Sequence, residues 1–146
     1  MLGLPIGTPV PELELRDLEG EPVTLADPDG RDTVVLFWNP GCGFCSAMRD
    51  DLHAWERSPD AREVRLLVVS SGDADDARAD GFRSAVALDP DYRAGEAFGA
   101  GGTPMAVLVD RDGRVASQLV TGGSAVLALA AARVAGQTGS RLAARS

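Results

Sequence analysis

The sequence predicts an α/β fold, a central mixed β-sheet flanked by helices, and three observations carry that prediction. Two runs of β-branched and large apolar residues, Thr33–Trp38 and Val64–Ser70, read as buried strands. Between them Phe44, Met48, Leu52 and Trp55 recur at helical spacing. Further on, Asp110-Arg111-Asp112-Gly113 separates two more apolar runs as a hairpin turn. Strand, helix, strand, further helical crossovers and a closing hairpin with a last helix are the order of an α/β layer fold.

The elements follow in chain order. Leu13–Leu15 and Pro22–Leu25 alternate apolar and polar around a turn at Asp17–Gly20, an N-terminal β-hairpin. A turn at Pro28–Gly30 leads into the central strand. Asn39, Pro40 and Gly41 break that strand, and a helix starts at or near Cys42, running to about Arg57 before Pro59. Val64–Ser70 is the expected parallel neighbour of the central strand. The acidic stretch Asp73–Asp80 is expected to hold a short helix, because Asp favours helix starts.

Ala85–Leu88 reads as a short strand. Asp89-Pro90 then reads as an N-cap with Pro at the first helical position, and the helix runs to Phe98. Gly99, Gly101 and Gly102 end it in a flexible loop. Met105–Val109 and Val115–Val120 form the closing hairpin, and Ser124 is expected to cap a last helix, Ala125–Ala135. The tail from Gly136 to Ser146 has no periodicity and is expected to fray. With no internal repeat, the chain reads as one domain over 1–146, its core about 5–135.

Size and charge narrow the function. A chain of 146 residues can bury about 68–70 % of its unfolded surface, so it needs no disulfide staples. A net charge of −8 argues against a nucleic-acid or anionic-membrane partner. All 14 basic side chains are Arg, which reads as a composition bias. No apolar run approaches the roughly 20 residues of a membrane span. Met-Leu-Gly-Leu-Pro lacks the charged and apolar regions of a signal peptide, which leaves a cytosolic chain and a chain separated from its leader or anchor both open.

The chemistry lies in Cys42-Gly43-Phe44-Cys45. Both cysteines of the chain are in this motif, so none is left for a structural bridge. Cys42 falls at the first turn of a helix, where unpaired N–H groups and the positive end of the helix dipole favour a thiolate. Cys45, three residues on, is a neighbour on the helix. Cys42 is expected to attack a partner disulfide and Cys45 to resolve the mixed disulfide. Trp38, Asn39 and Pro40 support the site, with Trp38 as core lining it. Gly43 and Phe44 offer an open, apolar patch to a substrate.

Other readings of these residues are weaker. Buried inert thiols do not fit the helix start and tight spacing. Zinc would need two further ligands, and the single histidine, His53, lies beside Asp50 and Asp51 and reads as solvated surface. Arg49, one turn past Cys45, could add positive potential near the thiolate but reads better as a solvated surface residue.

The order of elements, with Phe37-Trp38-Asn39-Pro40-Gly41-Cys42-Gly43-Phe44-Cys45 and Gly102-Thr103-Pro104, resembles the thioredoxin superfamily. More narrowly it resembles the TlpA/ResA branch of bacterial thiol–disulfide oxidoreductases, which is AhpC/TSA-related. The N-terminal hairpin and the extra strand–helix segment Val86–Phe98 favour this branch over plain thioredoxin. The likeness covers roughly Pro5 to Ala135. It implies a cis Thr103–Pro104 peptide beside the cysteines, with Thr103 and Pro104 binding substrate. It also implies an extracytoplasmic location, periplasmic or membrane-anchored.

One departure matters. Many thioredoxins carry a buried acid on the central strand two residues before the Trp, and here that position is Leu36. Ser46-Ala47-Met48, the turn after Cys45, supplies no carboxylate either, so no general base for Cys45 is identifiable. The copper-delivery relatives space their cysteines by three residues, which this chain does not.

The expected function is thiol–disulfide exchange with a protein substrate, as reductant, through a redox-active Cys42–Cys45 disulfide and without a cofactor or metal. An upstream redox donor is implied, and the chain is expected to act as a monomer. A thiol peroxidase would need Thr three residues before a lone peroxidatic Cys, where Asn39 stands. A redox-inactive adaptor of the same fold would not need the intact motif.

Overall fold

The computed structural model describes residues 3–132. Its centre is β3 (Asp32–Trp38), all seven residues of which are buried. β3 pairs in parallel with β4 (Val64–Ser70), matching Thr33 to Arg65 and Trp38 to Ser70. On its other side it pairs antiparallel with β6 (Met105–Val109). β5 (Ala85–Leu88) extends the parallel part beyond β4. β1 (Leu15–Arg16) and β2 (Pro22–Val23) close one edge and β7 (Val120–Thr121) the other, giving the order β2-β1-β5-β4-β3-β6-β7.

The two-residue period of β3 builds a core on each face. Val34, Leu36 and Trp38 face one way and pack with Met48 and Leu52 of α1 (Gly43–Glu56), Ala77 of α3 (Ala74–Asp80), and Val126 and Ala130 of α5 (residues 123–132). Val35 and Phe37 face the other way, with Ala94 of α4 (Arg93–Ala97), Phe98, Leu15 and Leu25. A strand covered on both faces reads as a continuous apolar run, as β3 does. Burying each large side chain on it is worth about 1.5–3 kcal/mol. The sheet therefore fixes the end of β3, where the site begins.

Several boundaries differ from the sequence expectation. In the N-terminal hairpin only four residues join the ladder; Leu13, Glu14, Thr24 and Leu25 do not. The Asp17 carboxylate accepts the N–H groups of Glu19 and Glu21, both at 2.9 Å, and closes the turn tightly around itself. A short helix not expected from the sequence, α2 (Asp60–Glu63), follows Pro59. The closing hairpin is interrupted: Val115 makes only an isolated bridge to Val109, and the ladder resumes at β7. Between them the Ser117 hydroxyl accepts the Leu108 N–H at 2.8 Å, so a side chain replaces the strand's own carbonyl.

Helix starts account for the remaining differences. α3 is capped as expected, with the Asp73 carboxylate accepting the Asp76 N–H at 2.8 Å. α4 begins at Arg93 rather than Pro90. Asp89 still serves it, accepting the N–H groups of Arg93 and Ala94 at 3.0 Å each, but from beyond a turn through Tyr92. Ser124 is not a cap: helical structure begins at residue 123, and the Gly122 carbonyl accepts the Val126 N–H at 3.1 Å. Gly122 has φ +90, a conformation glycine adopts without strain. The end of the expected last helix and the tail from Gly136 lie outside the described residues.

Candidate active site

β3 ends at the buried Trp38, and the chain turns at once. The Asn39 side-chain oxygen accepts the Gly41 N–H at 2.9 Å, and the Asn39 carbonyl accepts the Cys42 N–H at 3.0 Å. Asn39 and Gly41 are exposed and Pro40 is half-buried. This turn sets Cys42 at the N-cap of α1 with φ −83 and ψ 126. The Cys42 carbonyl accepts the Ser46 N–H at 3.0 Å, the first bond of the helix. No Ser, Thr or Asp caps this start, so the free N–H groups face the sulfur.

The two cysteines differ sharply in surroundings. Cys45 is 0 % exposed, while Cys42 is half-buried and Gly43 and Phe44 are exposed. Burial pushes the Cys45 thiol up to about 11, and its hydrogen bond with Cys42 adds to the rise. The Asn39 backbone N–H and the Thr103 side chain pull the other way without reversing it. At Cys42 the balance is opposite. Burial there also raises the thiol, but the Cys45 N–H, the Thr103 side chain, the Cys45 thiol and the Phe44 N–H outweigh it and hold it below its ordinary value.

The second half of the site comes from the loop before β6. Thr103–Pro104 is cis, as the resemblance implied. The Cys42 thiol donates to the Thr103 carbonyl at 3.5 Å. Four of the expected residues, Cys42, Cys45, Thr103 and Asn39, are thus joined through the two sulfurs. Phe44, 79 % exposed, and Pro104 join them from a groove of about 550 Å³ that Met48 and Leu127 also line.

Trp38 is core, as expected, but it is more than filling. Its indole N–H donates at 2.9 Å to the carboxylate of Asp80, which is 4 % exposed. The other oxygen of Asp80 binds Arg49 at 2.8 Å. Arg49 is therefore not a solvated surface residue; it is drawn inward by a buried carboxylate. His53 is likewise not solvated. It contacts the Asp80 carbonyl at 2.9 Å and Glu56 at 3.1 Å, and stacks on Phe82 at 5.3 Å.

Sequence reasoning missed Asp80. The available signal was a carboxylate in the last turn of a helix, where the dipole disfavours it and a tertiary partner is implied. Asp80 does not replace the missing base, because its oxygens are engaged by Trp38 and Arg49 rather than by a sulfur. The position of the absent acid, Leu36, is fully buried. Among the described residues no cluster of His, Cys, Asp and Glu is arranged to hold a metal.

A sequence profile of the AhpC/TSA family matches residues 6–118, from the N-terminal segment to the stretch just before β7. The chain belongs to the AhpC/TSA family. Within its relatives the AhpC/TSA chain is 25 % identical over 120 residues to the thiol-disulfide oxidoreductase ResA of Bacillus thuringiensis, covering 79 % of this chain and 69 % of that one. It is 29 % identical over 126 residues to the methylamine utilization protein MauD of Paracoccus denitrificans, covering 82 % of this chain and 60 % of that one.

Solved structures give the fold. A thiol:disulfide interchange protein from Bacteroides sp. superimposes with a TM-score of 0.70 at 23 % identity, over 86 % of this chain and 88 % of that one. The thioredoxin domain of a thiol-disulfide oxidoreductase from Bacteroides vulgatus gives 0.69 at 22 %, over 86 % and 96 %. The fold is thioredoxin-like, and with the paired thiols at its helix start the chain is a thiol–disulfide oxidoreductase.

Proposed function

We propose that the chain reduces disulfides in protein substrates, with Cys42 as nucleophile and Cys45 as resolving thiol. The observation that carries this reading is the opposite displacement of two sulfurs three residues apart: Cys42 below its ordinary value, Cys45 up to about 11. The accessible Cys42 thiolate attacks one sulfur of the substrate disulfide, and the other leaves as a thiolate. Cys45 then loses its proton and attacks Cys42. The second substrate thiolate leaves, and Cys42–Cys45 closes as a disulfide. Two electrons have passed from the dithiol to the substrate, and an upstream dithiol donor restores the pair.

Substrate binding is assigned to Gly43, Phe44, Thr103 and Pro104, with Trp38, Asn39 and Pro40 supporting. Gly43 and Phe44 are exposed beside the nucleophile, and Thr103 contacts its sulfur. An extended segment of substrate could lie along the Thr103 backbone, with a side chain against Phe44 and Pro104. The chemistry needs no cofactor beyond the Cys42–Cys45 couple. Likeness to the TlpA/ResA branch supports an extracytoplasmic location and work with a redox donor; the chain is proposed to act as a monomer. No helix among the described residues is long and apolar enough to cross a membrane.

The test is insulin reduction by the dithiol form, alongside Cys42→Ser and Cys45→Ser. Wild type should turn over, Cys42→Ser should be inert, and Cys45→Ser should trap the mixed disulfide. A peroxide-consumption assay is the control: turnover of peroxide without insulin reduction would make the chain a peroxidase. A reduction potential near the reducing end of the exchange-protein range, roughly −270 mV, supports the direction; a value of roughly −120 mV reverses it.

A further inference from the structure

The loop that carries Thr103 and Pro104 opens with two glycines whose side-chain positions face open space. A Cβ at Gly101 or Gly102 would meet nothing within 4 Å. Side-chain packing therefore does not fix this part of the loop. What reaches it is Tyr92, whose hydroxyl donates to the Gly102 carbonyl at 2.9 Å.

Tyr92 is firmly seated. Its ring meets Phe37 edge-on at a centroid separation of 6.5 Å. Gly95 leaves space for that ring, since a Cβ there would lie 2.4 Å from it. Just before it in the chain, the Asp89 carboxylate grips the N–H groups that open α4. The Tyr92 backbone stands at φ 57 and ψ 29, and no other non-glycine among the described residues has a positive φ. Glycine would adopt that conformation without strain, whereas a tyrosine is held there only by its surroundings. What the position provides is thus the side chain.

We propose that Tyr92 is a positioning residue of the exchange site: by holding the Gly102 carbonyl, its hydroxyl sets Thr103 against Cys42 and Cys45. The link is one peptide long. Thr103 follows Gly102, accepts a hydrogen bond from the Cys42 thiol at its carbonyl, 3.5 Å away, and its side chain lowers both thiols. Without the phenol two unpacked glycines are released, and Thr103 loses its register with the sulfurs. Burial, and after it the charges of Asp89 and Cys45, keep the phenol above its ordinary value, so it remains a proton donor across the working pH range. This inference rests on the proposed exchange function only for its biological sense; the effect on Cys42 can be read without turnover.

The experiment is titration of Cys42 by thiolate absorbance in the reduced protein, for wild type, Tyr92→Phe and Tyr92→Gly. Tyr92→Phe keeps the ring and removes the hydroxyl, and Tyr92→Gly also relieves the backbone. Both should move the Cys42 midpoint up by about half a pH unit, a roughly threefold loss of thiolate at pH values below the midpoint, as the Thr103 hydroxyl that favours the thiolate is displaced. Alkylation below the midpoint should slow in the same proportion. A midpoint that stays at the wild-type value in both variants overturns the proposal, whether thermal stability falls or not. If instead wild type fails to reduce insulin while the midpoint still moves, the exchange function falls and the role of Tyr92 stands.

Discussion

Raising the pH beyond the ordinary thiol range should destabilise the reduced protein, through Cys45. This thiol is 0 % exposed and is pushed by burial from 9.0 to about 11. A folded value above the unfolded one gives stability that is complete below pH 9 and is lost as pH rises through 11. Across that window the unfolded chain has released a proton that the native state keeps. The slope is about 1.4 kcal/mol per pH unit, so about two units remove roughly 2–3 kcal/mol.

Cys42 contributes with the opposite sign. Its folded value is depressed, so its stabilisation is present above the ordinary thiol value and is lost as pH falls through the folded one. The reduced protein should therefore gain stability toward pH 9 and lose it beyond. The assay is urea unfolding in half-unit steps, with the oxidised form as reference. Closing the disulfide removes both titrations and adds a pH-independent offset, while Tyr92 ionises in both forms and largely cancels. A reduced-minus-oxidised difference that stays flat between pH 9 and pH 11 would refute the burial of Cys45 as a thiol.

Four further outcomes follow from the same geometry. Thr103→Val removes the hydroxyl that lowers both thiols; one hydrogen bond of about 0.5–1.5 kcal/mol should raise the Cys42 midpoint and slow alkylation below that midpoint about two- to tenfold. Phe44→Ser should leave urea stability within about 0.5 kcal/mol, yet raise KM for a protein disulfide about fivefold through roughly 1 kcal/mol of lost apolar contact. Asp80→Ala strands the buried Trp38 N–H and should cost about 2 kcal/mol in urea unfolding, the part-exposed Arg49 adding little. Decay of the mixed disulfide should accelerate as pH rises above 7, by up to about tenfold per unit, because burial keeps Cys45 a thiol at neutral pH even when Cys42 is bonded to substrate and no longer adds to the rise; stopped-flow traces that are fast and flat with pH would contradict it.

The sequence disclosed whatever depended on local pattern. The period of β3, the helical spacing after Cys42 and the Asp73 cap are each set by neighbours in the chain, and each was legible to within a residue or so. What stayed hidden depended on partners far away in sequence. His53 and Arg49 read as surface because their neighbours in sequence are polar, yet both turn toward Asp80, more than twenty-five residues on. Asp89 was legible as a cap, but its reach past Tyr92 was not, because nothing local requires a tyrosine to take a left-handed conformation. The same holds for Ser117, whose hydroxyl displaces a strand carbonyl.

The asymmetry of the two thiols needs no charged residue at either sulfur. Cys42 sits where the helix has N–H groups to give, and Cys45, one turn deeper, sits where the sheet has excluded water. One backbone trajectory, from the end of β3 through the Asn39 turn, thereby lowers one thiol and raises its partner. A dithiol built this way stores a thiolate for attack and a proton for later release. With Leu36 in place of an acid and Asp80 committed to Trp38 and Arg49, that proton passes to solvent, while the Asn39 N–H and the Thr103 hydroxyl can only donate to the thiolate it leaves behind. Speed in the second step is what such a site gives up, and on the proposed binding of substrate beside Phe44 it suits substrates held there long enough for Cys45 to ionise.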